Sequence, residues 1–407
     1  MDKSSADEGE GNGGEFVIRA VPGMGSFTES EWNGLSGSSK ETLEEAYNPF
    51  ISFKFLQILE ESGCVSPGLG WQGHHLRLEA PDGALLGAVP CYLKSHSQGE
   101  YVFDHGWADA FERAGGRYYP KLQSCVPFTP ATGPRLLSSR AANAQAVKAA
   151  LAAGLKTVTD RLGASSSHVT FAQEDDMLAL EEAGFLPRTD QQFHFFNEGF
   201  STYENFLETL ASRKRKALRK ERREALSSGI EIEWLTGSDL TEAVWDDFFA
   251  FYMDTGSRKW GRPYLTRKFF SLIGERMADD VLLVMARRAG NYVAGAINFI
   301  GSDTLYGRNW GCIEDHPYLH FEVCYHQAID FAIERGLRVV EAGAQGEHKL
   351  ARGYQPVITH SAHYISHPGL RRAIADYLQR ERRDVEDTKQ YLDEHTPFRK
   401  TGNEPQD

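Results

Sequence analysis

What the chain lacks narrows its class before any motif is read. Its five cysteines (Cys64, Cys91, Cys125, Cys312 and Cys324) are odd in number and contain no C-x-x-C pair. That excludes a disulfide framework and reads as buried thiols in a reducing compartment. No run of about 18 apolar residues occurs, so no membrane span is expected. Positive charge is in deficit: 44 Lys and Arg against 57 Asp and Glu leave a formal charge of −13. A general coat for nucleic acid or anionic membrane is thereby excluded, and a phosphate-binding surface has to be a local basic patch. The G-x-S-x-G elbow, the P-loop and the dinucleotide fingerprint are all missing, which removes the usual support for hydrolase, NTPase and Rossmann functions. Residues 1–15 are acidic and rich in Gly and Ser, without the basic-then-apolar order of a signal peptide, and are expected to be a disordered tail. Together these features predict a cytoplasmic protein.

What is present is a globular chain of 407 residues, 41% hydrophobic and 12% aromatic, long enough for two domains. Hydrophobic periodicity gives one order of elements twice, β-α-α-β-β-β-α-β-α-β. In the first half the expected strands include 16–21, 74–78, 84–93, 101–105, 168–171 and 192–196, with a helix over 141–162. In the second half they are 230–235, 281–287, 292–300, 304–310, 338–341 and 360–365, with a helix over 320–335. Gly87-Ala-Val89 matches Gly295-Ala-Ile297 at an offset of 208. Gly184-Phe-Leu-Pro187 matches Gly353-Tyr-Gln-Pro356 at an offset of 169, which also sets His194 on His363. The difference places an insertion in the first half, near 107–135, whose end is the proline-rich Ser124-Cys-Val-Pro-Phe-Thr-Pro-Ala-Thr-Gly-Pro134. The expected layout is therefore a first domain over 16–200, a basic helix over 201–229, a second domain over 230–370 and a C-terminal helix and tail over 371–407. The fold class is α/β with mixed sheets.

Two segments carry candidate chemistry. Glu341-Ala-Gly-Ala-Gln-Gly-Glu-His-Lys-Leu-Ala-Arg-Gly-Tyr354 follows a short apolar strand and gathers charge around three glycines. Within it Lys349, with Arg352, is a candidate to stabilise developing negative charge, while Glu341 or His348 is a candidate to accept a proton. At the 169 offset Leu180 and Ala183 stand where Lys349 and Arg352 stand, so only the second copy is armed. Gln345 and Tyr354 in the segment, Arg308 and Trp310 at the end of the preceding hairpin, and Glu322 in the first turn of the next helix are candidate substrate contacts. The second segment, Arg213 to Arg223, holds eight cations in eleven residues. It reads either as a solvated helix face or as a focus for a phosphate-bearing partner such as tRNA, with Arg215 and Arg219 as contacts. Seven histidines fall between His316 and His367, but His360 and His363 lie three apart on a strand and point to opposite faces. No metal site is expected.

The element order of each half resembles the Gcn5-related N-acetyltransferase (GNAT) fold, and two such units in tandem resemble the FemAB family. From about Asn48 to about Lys400 the chain resembles the branch named for peptidoglycan biosynthesis or recognition. The residues carrying this are Val126-Pro-Phe-Thr-Pro130 with Gly133-Pro-Arg-Leu-Leu137, the basic run from Arg213, Tyr264-Leu-Thr266 and Glu341 to Tyr354. The resemblance implies two tandem GNAT-like units that transfer an aminoacyl or acyl group to an amine on a peptidoglycan precursor. The donor it implies is a co-substrate, aminoacyl-tRNA or acyl-CoA, with no tightly bound cofactor. FemAB-type second units end a strand in an acidic-x-Gly step and place a lysine shortly before a Gly-aromatic pair. Glu341-Ala-Gly343, Lys349 and Gly353-Tyr354 fit, so the resemblance assigns the catalytic or positioning role to Lys349. The long helical hairpin of some members and the Arg/Gln-x-x-Gly-x-Gly/Ala pyrophosphate loop of acetyltransferases are absent from this sequence. The alternative is a non-catalytic module recognising a peptidoglycan peptide or RNA on the same fold.

Overall fold

The computed structural model describes residues 16–38, 47–139, 143–260, 263–344 and 346–399, with backbone alone at 257–260 and 347. The expected tails at 1–15 and 401–407 and the candidate Gln345 lie outside the described residues. The first half contributes β1 (Val17–Val21), β2 (Trp71–Gly73), β3 (His75–Glu79), β4 (Leu85–Val89), β5 (Cys91–Lys94), β6 (Lys121–Ser124), β7 (Leu137–Ser138), β8 (Ser166–Ala172) and β9 (Leu186–Phe196). The second half contributes β10 (Ile230–Leu235), β11 (Val281–Arg288), β12 (Asn291–Ile300), β13 (Thr304–Cys312), β14 (Val339–Glu341) and β15 (Gln355–Ile365).

Among the described residues these strands form a four-stranded sheet, β1-β3-β4-β7, and one long sheet, β10-β11-β12-β13-β14-β9-β15-β8-β6-β5-β2. The expected strand 84–93 is broken at Pro90, which has no N–H to give a ladder. β4 before it pairs with β3, and β5 after it pairs with β6, so the proline is where the chain changes sheets. The expected strand 101–105 is a loop entering the helix His105–Arg113. Its alternating pattern is overridden by ion pairs: Glu100 and Asp104 both accept from the buried Lys121 Nζ, at 2.6 and 2.5 Å. The expected insertion 107–135 contains β6, an interior strand of the long sheet.

Each half has one parallel pair, β6 with β8 and β13 with β14. Between them the halves exchange their last strands. β9 lies between β14 and β15, and β15 lies between β9 and β8. In the β9–β15 ladder Leu186 faces His363, His194 faces Gln355 and Asp190 faces Thr359. Adding the 169-residue offset to one member of each pair returns the same set of pairs, so the repeat read from sequence is a two-fold axis at Asp190 and Thr359. The long sheet therefore runs unbroken across the boundary expected near residue 200.

Helices cover both faces. One face of the second half packs Trp245, Phe248 and Phe251 of helix Glu242–Trp260 and Phe269 and Phe270 of helix Arg267–Arg276. The other face packs Val323, Ala328, Ile329 and Ala332 of the helix beginning at Leu319, whose apolar residues recur at steps of three to five. That helix carries a π-helical turn at Glu322–His326.

Candidate active site

The site is built where β13 and β14 part. They pair in parallel through Thr304↔Val339, Leu305↔Val340 and Tyr306↔Glu341, and there β14 ends. β13 continues past a bulge at Arg308 and Asn309, where Asn298 of β12 still faces Gly307 but Ala296 already faces Trp310. Gly307 lets the strands come close before they splay, since a β-carbon there would lie 3.2 Å from the carbonyl oxygen of Glu341.

Glu341 stands at the mouth of this gap. On its other side its ladder partner is His194, delivered by the exchanged strand β9, with His194 Nε2 3.9 Å from Glu341 Oε1. Burial pushes the Glu341 carboxyl up to about 8, against the pull of Arg308 and Arg135. Burial likewise holds the His194 imidazole down to about 4, with Lys349 adding to the effect. His194 Nε2 lies 3.3 Å from Gln192 Oε1, and Gln192 Nε2 donates to Pro130 O of the proline-rich loop at 2.6 Å.

After β14 the chain makes the 3₁₀ turn Glu347–Arg352, closed by Gly353 at φ 87, where a β-carbon would also meet the Phe206 ring at 2.5 Å. This turn swings Lys349 back under the strand end. Its Nζ donates to Ala342 O and, at 3.1 Å, to Gly343 O, so among the described residues two of the three ammonium donors are used. Burial lowers the Lys349 amine to about 8.

The other candidates divide. Arg308 sits on the Glu341 side of the sheet, donating through Nη2 to Phe128 O. Trp310, beyond the bulge, packs on His320 with ring centroids 5.3 Å apart. His348 is exposed and meets the Tyr325 hydroxyl through Nε2 at 3.1 Å, its pKa lowered by burial and by Arg352 and Lys349. Arg352 is an anchor: its Nε and Nη2 donate to Glu221 at 2.8 and 2.7 Å, and Nη1 donates to His348 O. Tyr354 is wholly buried in the core with its hydroxyl on Tyr325 O, and Glu322 is wholly buried, accepting from Arg222 and Gln327. Neither faces the gap. Arg215 and Arg219 lie along helix Ser212–Ala225, which docks through Leu218, Ala225 and Arg222; Arg219 pairs with Glu204. Sequence reasoning missed His194, Gln192, Arg135 and Phe128 as neighbours of the gap. The available signals were the match of His194 to His363 and the Val126–Pro130 motif, but neither says which strand end it reaches.

Two units with this parallel pair, splay and exchanged last strand define a tandem GNAT fold. Among solved structures, 129 chains match. FemX aligns with a TM-score of 0.52 at 12% identity, over 86% of this chain and 98% of that chain. A tandem GNAT protein from the clavulanic acid biosynthesis pathway aligns with a TM-score of 0.46 at 11% identity, over 87% and 99%. L-PGS from Bacillus licheniformis aligns with a TM-score of 0.48 at 11% identity, over 88% and 100%. No curated protein matches the sequence. The FemAB-like family, described as peptidoglycan biosynthesis/recognition, matches residues 24–400, and the chain belongs to it. Among the described residues no helix is long and apolar enough to cross a membrane.

Proposed function

We propose that the chain is an N-acyltransferase that moves an aminoacyl or acyl group from an activated donor to an amine, the amine being carried by a peptidoglycan precursor. The observation that carries this reading is the end of β14, where Glu341, its buried carboxyl raised to about 8, is followed directly by the two carbonyls that hold the buried Lys349 ammonium, lowered to about 8. Groups poised near the working pH are what proton transfer from an attacking amine requires. In the proposed step the amine nitrogen attacks the donor carbonyl carbon and Glu341 takes the amine proton. The oxygen that gains charge is met by the remaining donor of Lys349. Collapse restores the carbonyl and expels the donor's alcohol or thiol, which recovers a proton. His194 and Gln192 position Glu341 from the first unit. Helix Ser212–Ala225 supplies the cationic face for a phosphate-bearing donor.

The active microstate pairs ionised Glu341 with protonated Lys349. Below about pH 8 the carboxylate is lost and above it the ammonium is lost, so the rate is expected to peak near pH 8 and fall on both sides. The full-length chain is incubated with charged tRNA or acyl-CoA and an amine acceptor, and release of free tRNA or thiol is followed from pH 6 to 10. Glu341→Gln is expected to remove the acid limb from the residual rate; a limb that survives in that variant sinks the role given to Glu341. Saturable binding without turnover would favour the recognition module.

A further inference from the structure

Two hydrogen-bond donors beside Glu341 are turned away from it by one loop of the first unit. Arg308 lies two residues past Tyr306, the register partner of Glu341, which is about 6–7 Å along β13. Its Nη2 donates instead to Phe128 O, and the guanidinium also donates to the Tyr101 hydroxyl, with the Tyr101 ring centroid 5.9 Å from its carbon. Arg308 and Glu341 stay beyond the 4.0 Å of an ion pair. His194 stands on the other side. Gln192 gives its amide N–H to Pro130 O at 2.6 Å, so its Oε1 is the atom that faces His194 Nε2, at 3.3 Å. The ring N–H of His194 is therefore spent on Gln192 and not on Glu341 Oε1, 3.9 Å away. The two carbonyls that divert these donors belong to residues 128 and 130 of the Val126–Pro130 motif.

The loop is held from many sides and against its own preference. Phe128 has φ 58 and Tyr101 has φ 62, a left-handed backbone that bulky aromatic residues rarely adopt. Phe128 N donates to Gly99 O at 3.1 Å, which ties the loop to the Tyr101 segment, and its ring stacks on Tyr264 of the second unit at 4.8 Å. Thr129 Oγ1 donates to Pro127 O, Arg135 Nη2 to Ala131 O and Asn48 Nδ2 to Thr132 O. Strain of this kind persists only where the surroundings over-determine it, and it gathers at functional sites. A switch of Phe128 to negative φ turns its carbonyl away from Arg308. A guanidinium so freed, two residues from a carboxylate, pairs with it, and a paired carboxylate is a poor proton acceptor.

We propose that Phe128–Pro130 is a positioning loop for Glu341. By engaging Arg308 through Phe128 O and Gln192 through Pro130 O, the first unit withholds two donors from the carboxyl and keeps it able to take a proton. The use made of that proton rests on the acyl-transfer reading, but the test follows the carboxyl and not turnover, so the two can fail separately. Glu341 is titrated in the full-length chain by its protonated-carboxyl infrared band, assigned by the loss of that band in Glu341→Gln. The other charged or titratable groups around it, Asp303, Tyr306, Arg135 and Lys349, are left unaltered. Phe128→Ala and Phe128→Gly both lose the ring, but only glycine takes the left-handed backbone without strain. Phe128→Ala is expected to move the titration down by about one pH unit, tenfold in proton affinity, and Phe128→Gly to leave it near the wild-type midpoint. Gln192→Met frees the His194 N–H and is also expected to lower it. In the Arg308→Met background the Phe128→Ala shift disappears while the Gln192→Met shift remains. An unmoved midpoint in Phe128→Ala or Gln192→Met overturns the proposal. So do equal shifts in Phe128→Ala and Phe128→Gly, or a Phe128→Ala shift that survives Arg308→Met. Should Phe128→Ala fail to fold by urea midpoint, Tyr101→Phe, which removes one acceptor from Arg308, carries the comparison, with a shift in the same direction that Arg308→Met abolishes.

Discussion

The two units end their parallel strand pairs in opposite ways. In the first, the gap between β6 and β8 is filled by the chain itself. Gly133 N donates to Phe171 O, Arg135 Nε donates to Thr170 O, and the backbone N–H groups of Arg135 and Leu136 both reach the buried carboxylate of Asp176. In the second, no comparable loop follows β13, and the strand-end carbonyls of Ala342 and Gly343 are met by the single ammonium of Lys349. One framework has thus been closed with backbone and a guanidinium that does not titrate near neutral pH. The other ends on Glu341 and Lys349, groups that do. The first unit locks Lys121 against Glu100 and Asp104, while the second keeps Arg308 and Glu341 out of ion-pair contact.

The largest expected effect tests whether the first unit's charges are structural. Lys121→Met leaves Asp104 buried without its lysine and Glu100 with Lys94 alone, 3.6 Å away, and is expected to cost about 3–5 kcal/mol of stability by urea unfolding. A loss under about 1 kcal/mol would show that the cluster does not hold the fold.

The next contrast exchanges roles between units. Lys349→Ala is expected to lower acyl transfer by the folded chain on the order of 10²–10³-fold, about 3–4 kcal/mol of transition-state stabilisation, beside a smaller stability cost of about 1–2 kcal/mol for the two carbonyls it strands. Arg135→Ala should do the reverse, costing about 2–4 kcal/mol of stability by stranding three carbonyls, and acting on transfer only through the fraction folded. If both variants behave alike, the division into plug and site is wrong.

The smallest effect separates the units by pH. His168 and His363 meet Nδ1 to Nδ1 at 2.7 Å in the first unit, and burial holds both imidazoles far below their usual range, His168 to about 3. In the unfolded chain they take protons below about pH 6.5, so each should cost about 1.4 kcal/mol per pH unit as pH falls from there. Glu341 has the opposite sign. Its raised carboxyl stabilises the fold below the unfolded value of about 4.5, and that contribution is lost as pH rises through about 8. Urea midpoints from pH 6.5 to 5 should flatten in His363→Phe, and those from pH 6 to 9 should flatten in Glu341→Gln. An unchanged slope in either variant would show that its group is not the one titrating.

Much of the framework was legible from local pattern. Ile230–Leu235 is the strand expected, residue for residue, and β11, β12 and β13 begin within a residue of expectation, because alternation and turn glycines are local signals. The 169-residue match reappears as the symmetric β9–β15 ladder. What pattern misplaced was decided at long range. Residues 101–105 alternate like a strand but are tied down by Lys121, and β6 lies inside the stretch read as an insertion because its four residues, Lys-Leu-Gln-Ser, look like a loop. Lys349 and Glu341 were visible as charge around glycine. That the same segment's Tyr354 is core and Arg352 a clamp on Glu221 was not, since sequence gives neither burial nor partner.

By itself the sequence determined the two-fold repetition and the element order of the second half. These depend on residue types at fixed spacing along one chain. The strand exchange was settled only in the tertiary structure. It brings His194 of the first unit beside Glu341 of the second, and the folded chain sets Phe128 on Arg308. The reason is physical: a strand's alternation says which face is buried, but not which neighbour supplies its hydrogen bonds.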